Sequence, residues 1–86
     1  YNCTASGNYS NASNYATTAS GNYSHAEGVN TISSGYATHA EGNATIARGI
    51  GSHSEGKKTF AYGDYSHAEG YNTYSSGKGS HSGGGN

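Results

Sequence analysis

A Ser-His-Ala-Glu-Gly motif recurs along this chain and brings the residue types of hydrolytic catalysis within four positions. It is complete at residues 24–28 and 66–70, varied at 38–42 and 52–56, and lacks its carboxylate at 80–84. A nucleophile and its base must meet side chain to side chain. Ser24 and His25 are neighbours, and neighbours on a strand point to opposite faces. Fivefold recurrence also suits a structural ladder better than an active site. The chain is therefore read as no enzyme, with no catalytic residue.

His25 and Glu27 lie two apart and do share a face, as do His39 with Glu41, His53 with Glu55, and His67 with Glu69; His81 ends the series. Stacked imidazoles and carboxylates have the donor types of a transition-metal site. The sequence carries no specific metal signature, so the expected role is a hydrogen-bonded or solvated ladder with no metal and no cofactor. Stacked His beside Glu is also expected to charge in mild acid and make stability pH-dependent.

The elements that hold these residues follow from glycine. Gly7, Gly21, Gly28, Gly35, Gly42, Gly49, Gly56, Gly63, Gly70, Gly77 and Gly84 are spaced by seven or a multiple of seven. The empty slot holds Asn14, the residue that best imitates Gly at positive φ. Within each seven, the third position is Ser or Thr except at Cys3, and the fifth is Ala or Ser. The fourth alternates between the His series and Thr18, Ile32, Ile46, Phe60 and Tyr74, so the true repeat is 14 residues in two unlike halves. A coiled coil needs two apolar heptad positions among good helix formers. Collagen needs Gly at every third residue. Neither pattern is present.

Short strands joined at glycine corners do fit. The expected fold is all-β: a parallel β-roll or β-solenoid with 14 residues per coil, in about six coils stacked about 4.8 Å apart, hence about 29 Å long. Each half-coil is predicted as a strand of about four or five residues with a corner at positions seven, one and two. Residues 1–86 form one repetitive segment, less regular over 1–14 and regular over 15–84. The small third, fifth and seventh positions are placed inside, because His and Glu in a narrow lumen are costly unless fully paired. The His and Glu columns then face outward from one sheet. Ile32, Ile46, Phe60 and Tyr74 form an apolar strip on the other, a candidate interface.

Composition limits the partners. With 15 Gly, no Pro and 30% hydrophobic residues, the chain has the make-up of a disordered segment, a reading that the period of seven removes. A net charge of −1 gives no basic field for nucleic acid, and no apolar run is long enough to span a membrane. So small a core is marginal alone, and the uncapped ends suit pairing with further copies. The expected partner is therefore the chain itself, as a homotrimer or an end-to-end filament. Cys3, the single cysteine, cannot form an internal disulfide. The opening at Tyr1 without Met reads as a processed product or a fragment.

Tyr1, Tyr9, Tyr15, Tyr23, Tyr36, Tyr65 and Tyr71 cluster at the corners, where they are expected to cover backbone or to stack on sugars and neighbouring rods. Asn2, Asn8, Asn11, Asn22 and Asn43 open Asn-x-Ser/Thr sequons, the candidate glycosylation acceptors.

The pairing of Ser24–Gly28 with Thr31-Ile32-Ser33-Ser34-Gly35, and of 66–70 with 73–77, resembles the YadA-like head repeats of trimeric autotransporter adhesins. Similar repeats occur in bacteriophage tail fibres and spikes. The resemblance covers about residues 15–84 and implies a left-handed roll, trimeric assembly, an extracellular or cell-surface location and adhesion to a host surface or carbohydrate receptor. His and Glu replace the two apolar residues with which that family usually faces its trimer axis. The expected function is a structural and adhesive module of a fibre, filament or adhesin head. A virion tail-fibre segment is the alternative, and an ice-binding solenoid, which wants a flat Thr array, is the third reading.

Overall fold

A computed structural model describes residues 3–84. These residues contain twelve short strands and no helix. The odd-numbered strands are β1 (Thr4–Ala5), β3 (Thr18–Ala19), β5 (Ile32–Ser33), β7 (Ile46–Ala47), β9 (Phe60–Ala61) and β11 (Tyr74–Ser75). The even-numbered ones are β2 (Asn11–Tyr15), β4 (His25–Val29), β6 (His39–Asn43), β8 (His53–Ser54), β10 (His67–Ala68) and β12 (His81–Ser82). Each set forms one parallel sheet in chain order. Every partner lies fourteen residues away, as in Thr4↔Thr18, His25↔His39 and Tyr74↔Phe60. The molecule is thus a parallel β-solenoid of about six coils with a repeat of about 14 residues. Its extents are 30 × 21 × 10 Å, the long one matching the rise expected of six stacked coils.

The interior is built from the smallest side chains. Ala19, Ala26, Ala40, Ala47, Ala61 and Ala68 are fully buried, with Thr17, Thr31, Thr45, Thr59, Ser33 and Ser54 beside them. Two sheets can approach so closely because nothing larger than Thr stands between them. Most of the buried hydroxyls find local acceptors, those of Thr17, Thr31 and Ser52 excepted. Ser24 and Ser66 donate to the carbonyls of Gly21 and Gly63, both at 2.6 Å, which closes the corner as Ser does in turns. The hydroxyls of Ser33 and Thr38 meet at 2.6 Å across the lumen.

The two glycine columns have different reasons to be glycine. At Gly28 φ is 108°, and an added Cβ would lie 2.1 Å from the carbonyl oxygen of Gly42. At Gly21 the backbone is ordinary, but a Cβ would meet the carbonyl oxygen of Gly35 at 2.1 Å. Asn14 takes the glycine slot at φ 84°, in register with Gly28.

Two details depart from the predicted half-coil. The strands of the first sheet, and β8, β10 and β12 of the second, have two residues rather than four or five, because the chain bends again as soon as one inward and one outward residue have paired. Strands β2, β4 and β6 keep five. The second position, not the seventh alone, also carries left-handed backbone. Tyr9, Ala16, Tyr23, Asn30, Ala37, Ala44, Lys58, Tyr65 and Asn72 have φ between 52° and 61°.

Candidate functional site

The outward face of the even-numbered sheet gathers the most chemistry. Alternation along each strand turns Ala26 inward and His25 and Glu27 outward, and the in-register ladder repeats that choice in every coil. The result is two parallel columns. The imidazoles of His25, His39, His53, His67 and His81 stack with centroids 4.7, 4.6, 4.8 and 4.8 Å apart and interplanar angles of 21°, 5°, 1° and 13°. Their spacing is that of the strands themselves, so the backbone sets the stack.

The carboxylates run alongside. Nε2 to Oε1 distances are 3.1 Å for His25–Glu27, 3.2 Å for His39–Glu41, 3.3 Å for His53–Glu55 and 3.4 Å for His67–Glu69. Coil six has Gly83 where coils two to five have Glu, and Glu69 extends over it: its second oxygen lies 3.5 Å from His81 Nε2. Glu55 likewise reaches His67, at 3.8 Å. Alignment is poor along most of this column. His25 meets Glu27 with hydrogen-bond geometry, whereas the Nε2 atoms of His39, His53 and His67 are buried without an aligned hydrogen-bond partner. Each pair of successive imidazoles, with the Glu of the earlier coil, places three ligand-type atoms within 4.8 Å of one another.

The columns perturb each other's protonation. Hydrogen bonding with Glu27, then burial, then hydrogen bonding with Glu55 push the Glu41 carboxyl up to about 7. The same contacts hold Glu27 and Glu55 below the ordinary carboxylate range, Glu41 acting first in each case and His25 or His53 adding to it. One proton is thus favoured on the central carboxyl while its neighbours stay ionised, as expected of interacting sites. Burial is the main cause lowering both His39 and His53, with repulsion from adjacent imidazoles adding to it. These two His therefore charge less readily than a free imidazole, the reverse of the simple expectation for His beside Glu.

The opposite sheet bears the apolar strip. Thr18, Ile32, Ile46 and Phe60 are half-buried and Tyr74 is exposed. Phe60, Tyr62 and Tyr74 form an aromatic cluster with centroids 4.9 to 6.0 Å apart, and the Arg48 guanidinium lies 5.1 Å from the Tyr62 ring centre. Sequence reasoning missed this cluster; Tyr62 stands two residues after Phe60, hence on its face, and that spacing was the available signal.

The glycines named above sit at the bends. Tyr9, Tyr23, Tyr36 and Tyr65 line one edge with exposed rings, Tyr9 and Tyr23 stacked at 5.3 Å. Tyr15 and Tyr71 lie on the opposite edge, in register with Val29, Asn43 and Lys57. Asn8, Asn11, Asn22 and Asn43 are exposed, and the Asn22 Oδ1 accepts a bond from the Asn8 amide at 3.0 Å. The sequon partners Ser24 and Thr45 are buried. Asn2 and Tyr1 lie outside the described residues. Cys3 is half-buried, its thiol 3.0 Å from the Asn14 carbonyl. The third-position Thr residues of the first sheet from Thr17 to Thr73 are buried and form no surface array.

No protein-family model, curated protein or solved structure matches this chain. Among the described residues, no helix is long and apolar enough to cross a membrane.

Proposed function

We propose that this chain is a structural and adhesive segment of an extracellular fibre or adhesin head, a left-handed roll of the YadA-like kind that assembles with copies of itself. The observation that supports the reading most is the unbroken register. From β1 to β11 and from β2 to β12 each strand pairs in parallel with the equivalent strand of the next coil. The repeat keeps its register from coil to coil, so each coil presents to the next the same kind of pairing edge, and the unit is one that stacks on its own kind. Laterally, the strip of Ile32, Ile46, Phe60 and Tyr74 supplies the apolar contact that a trimer or a bundle needs. Support for the role itself is the resemblance of the Ser-His-Ala-Glu-Gly repeats to those adhesin heads. With a lumen this thin, the reading assigns the work to surfaces rather than to a catalytic pocket.

Light scattering after gel filtration, with electron microscopy of the same fractions, tests it in chelator-treated protein. Trimers or rods longer than one chain are expected, and Ile46→Asp should weaken them. A chain that stays monomeric at its highest soluble concentration, while remaining folded, overturns the reading.

A further inference from the structure

The imidazole column differs from a solvated ladder in two ways. Its rings are held in register by backbone pairing, and three of its Nε2 atoms are buried beside carboxylates with no aligned hydrogen bond. A buried polar atom so placed is usually satisfied by something. Two imidazoles and one carboxylate are a donor set that suits zinc, with water as fourth ligand.

We propose that the His/Glu columns form a one-dimensional Zn²⁺ site, in which each ion joins two adjacent coils through two Nε2 atoms and one Glu oxygen. The candidate triads are His25/Glu27/His39, His39/Glu41/His53, His53/Glu55/His67 and His67/Glu69/His81. Zn–N bonds of about 2.0–2.1 Å in a tetrahedral site bring the two nitrogens to roughly 3.4 Å. The rings of a pair, 4.6 to 4.8 Å apart, therefore tilt their tips together while the strands stay in place. Tilting toward one neighbour is tilting away from the other, so an imidazole serves one ion only. Neighbouring triads share an imidazole and exclude each other. Five His thus hold two ions, each on its own adjacent pair, with one ring left over. The pair His67/His81 fills first, because Glu69 already reaches both rings, at 3.4 and 3.5 Å.

Pairwise filling makes the effect of each substitution depend on its place in the column. Removing the first, third or fifth imidazole (His25, His53 or His81) leaves two intact adjacent pairs. Removing the second or fourth (His39 or His67) strands one ring and leaves a single pair. Asn is the natural replacement, because Asn11 occupies this column in coil one, in register with His25.

The test titrates Zn²⁺ into the full chain carrying no polyhistidine tag. Calorimetry and elemental analysis after gel filtration count the ions, on variants whose circular dichroism matches the parent. Two ions per chain are expected for the parent and for His25→Asn, His53→Asn and His81→Asn. One is expected for His39→Asn and His67→Asn, with a smaller Zn²⁺-induced rise in melting temperature. Equal counts for His39→Asn and His53→Asn, a count that falls with every His removed, one ion shared by three chains, or no saturable binding would each overturn the proposal. The inference does not rest on the fibre reading: it stands for a monomer, and self-assembly in chelator does not decide it.

Discussion

The two sheets share an interior and differ outside. Ala40 and Ala47, one from each, are both fully buried in the same thin lumen. Outside, one sheet repeats the same imidazole five times with rings nearly parallel, while the other drifts from Thr18 through Ile32 and Ile46 to Phe60 and Tyr74. Inward positions have no room to vary, since each side chain meets the opposite sheet. Outward positions need only stack at the strand spacing, which aliphatic, aromatic and imidazole groups all do. The lesson is that the lumen sets the fold and the faces set the role.

Breaking the shared frame should have the largest effect. Gly42→Ala places a Cβ 2.1 Å from the Gly56 carbonyl oxygen at a φ of 109°. Loss of more than about 3 kcal/mol is expected from clash and left-handed strain together, seen as a missing β spectrum or a collapsed melting temperature. Next come Ala40→Leu and Ala47→Leu, which overfill the lumen from either side at roughly 1–3 kcal/mol each or more. Near-equal costs sharpen the comparison, and a tolerant sheet would break it. Outside, the faces should diverge: Phe60→Ala, in its half-buried cluster, is expected to cost about 2 kcal/mol, and His53→Asn about 1 kcal/mol of stacking. Denaturant melts of these four variants decide the order.

Smaller effects separate neighbours within one column. Thr31 Oγ1 is buried with no hydrogen-bond partner, whereas Thr45 Oγ1 donates to the Glu41 carbonyl at 3.1 Å. Thr31→Val should therefore be neutral or stabilising by up to about 1 kcal/mol, and Thr45→Val destabilising by a similar amount.

The pH dependence of chelator-treated protein is the subtlest test. Glu41, raised from 4.5 to about 7, favours the fold fully below 4.5 and loses that contribution as pH rises through about 7. His39 and His53, lowered from 6.5, contribute above 6.5 and lose it as pH falls through their depressed values. Glu27 and Glu55, lowered from 4.5, act in the same sense in more acid solution. The Glu41 and imidazole contributions oppose each other across the window between, so the parent should vary little there. Glu41→Gln removes the limb that falls with pH, and its stability relative to the parent should rise from about pH 5 to about pH 8. Paired melting curves that keep a constant offset would remove the shared-proton account.

Much of this was legible in the residues. Gly every seventh position with Ser/Thr and Ala/Ser between dictated the period, the two sheets and the inward face, because only small side chains fit a fourteen-residue coil. What stayed hidden was local. Ala37 and Ala44 adopt left-handed backbone at 56° and 58°, although Ala carries no signal for it. Closure of the corner imposes the angle against a preference of roughly 1–2 kcal/mol. The coplanarity of the imidazoles and the sharing of Glu69 depend on rotamers, which spacing does not encode. The shift of Glu41 arises from column neighbours fourteen residues away, so no local pattern announces it.

In-register pairing also governs how such a chain can change length. Removing residues 36–49 joins Gly35 to Ile50 and shortens the rod by one layer, leaving every remaining strand with the same kind of neighbour above and below. Losing a single residue instead reverses the facing of all that follows up to the next bend, sending His toward the lumen and Ala toward water. Evolution or a designer can therefore resize the molecule in whole layers, like courses of brick.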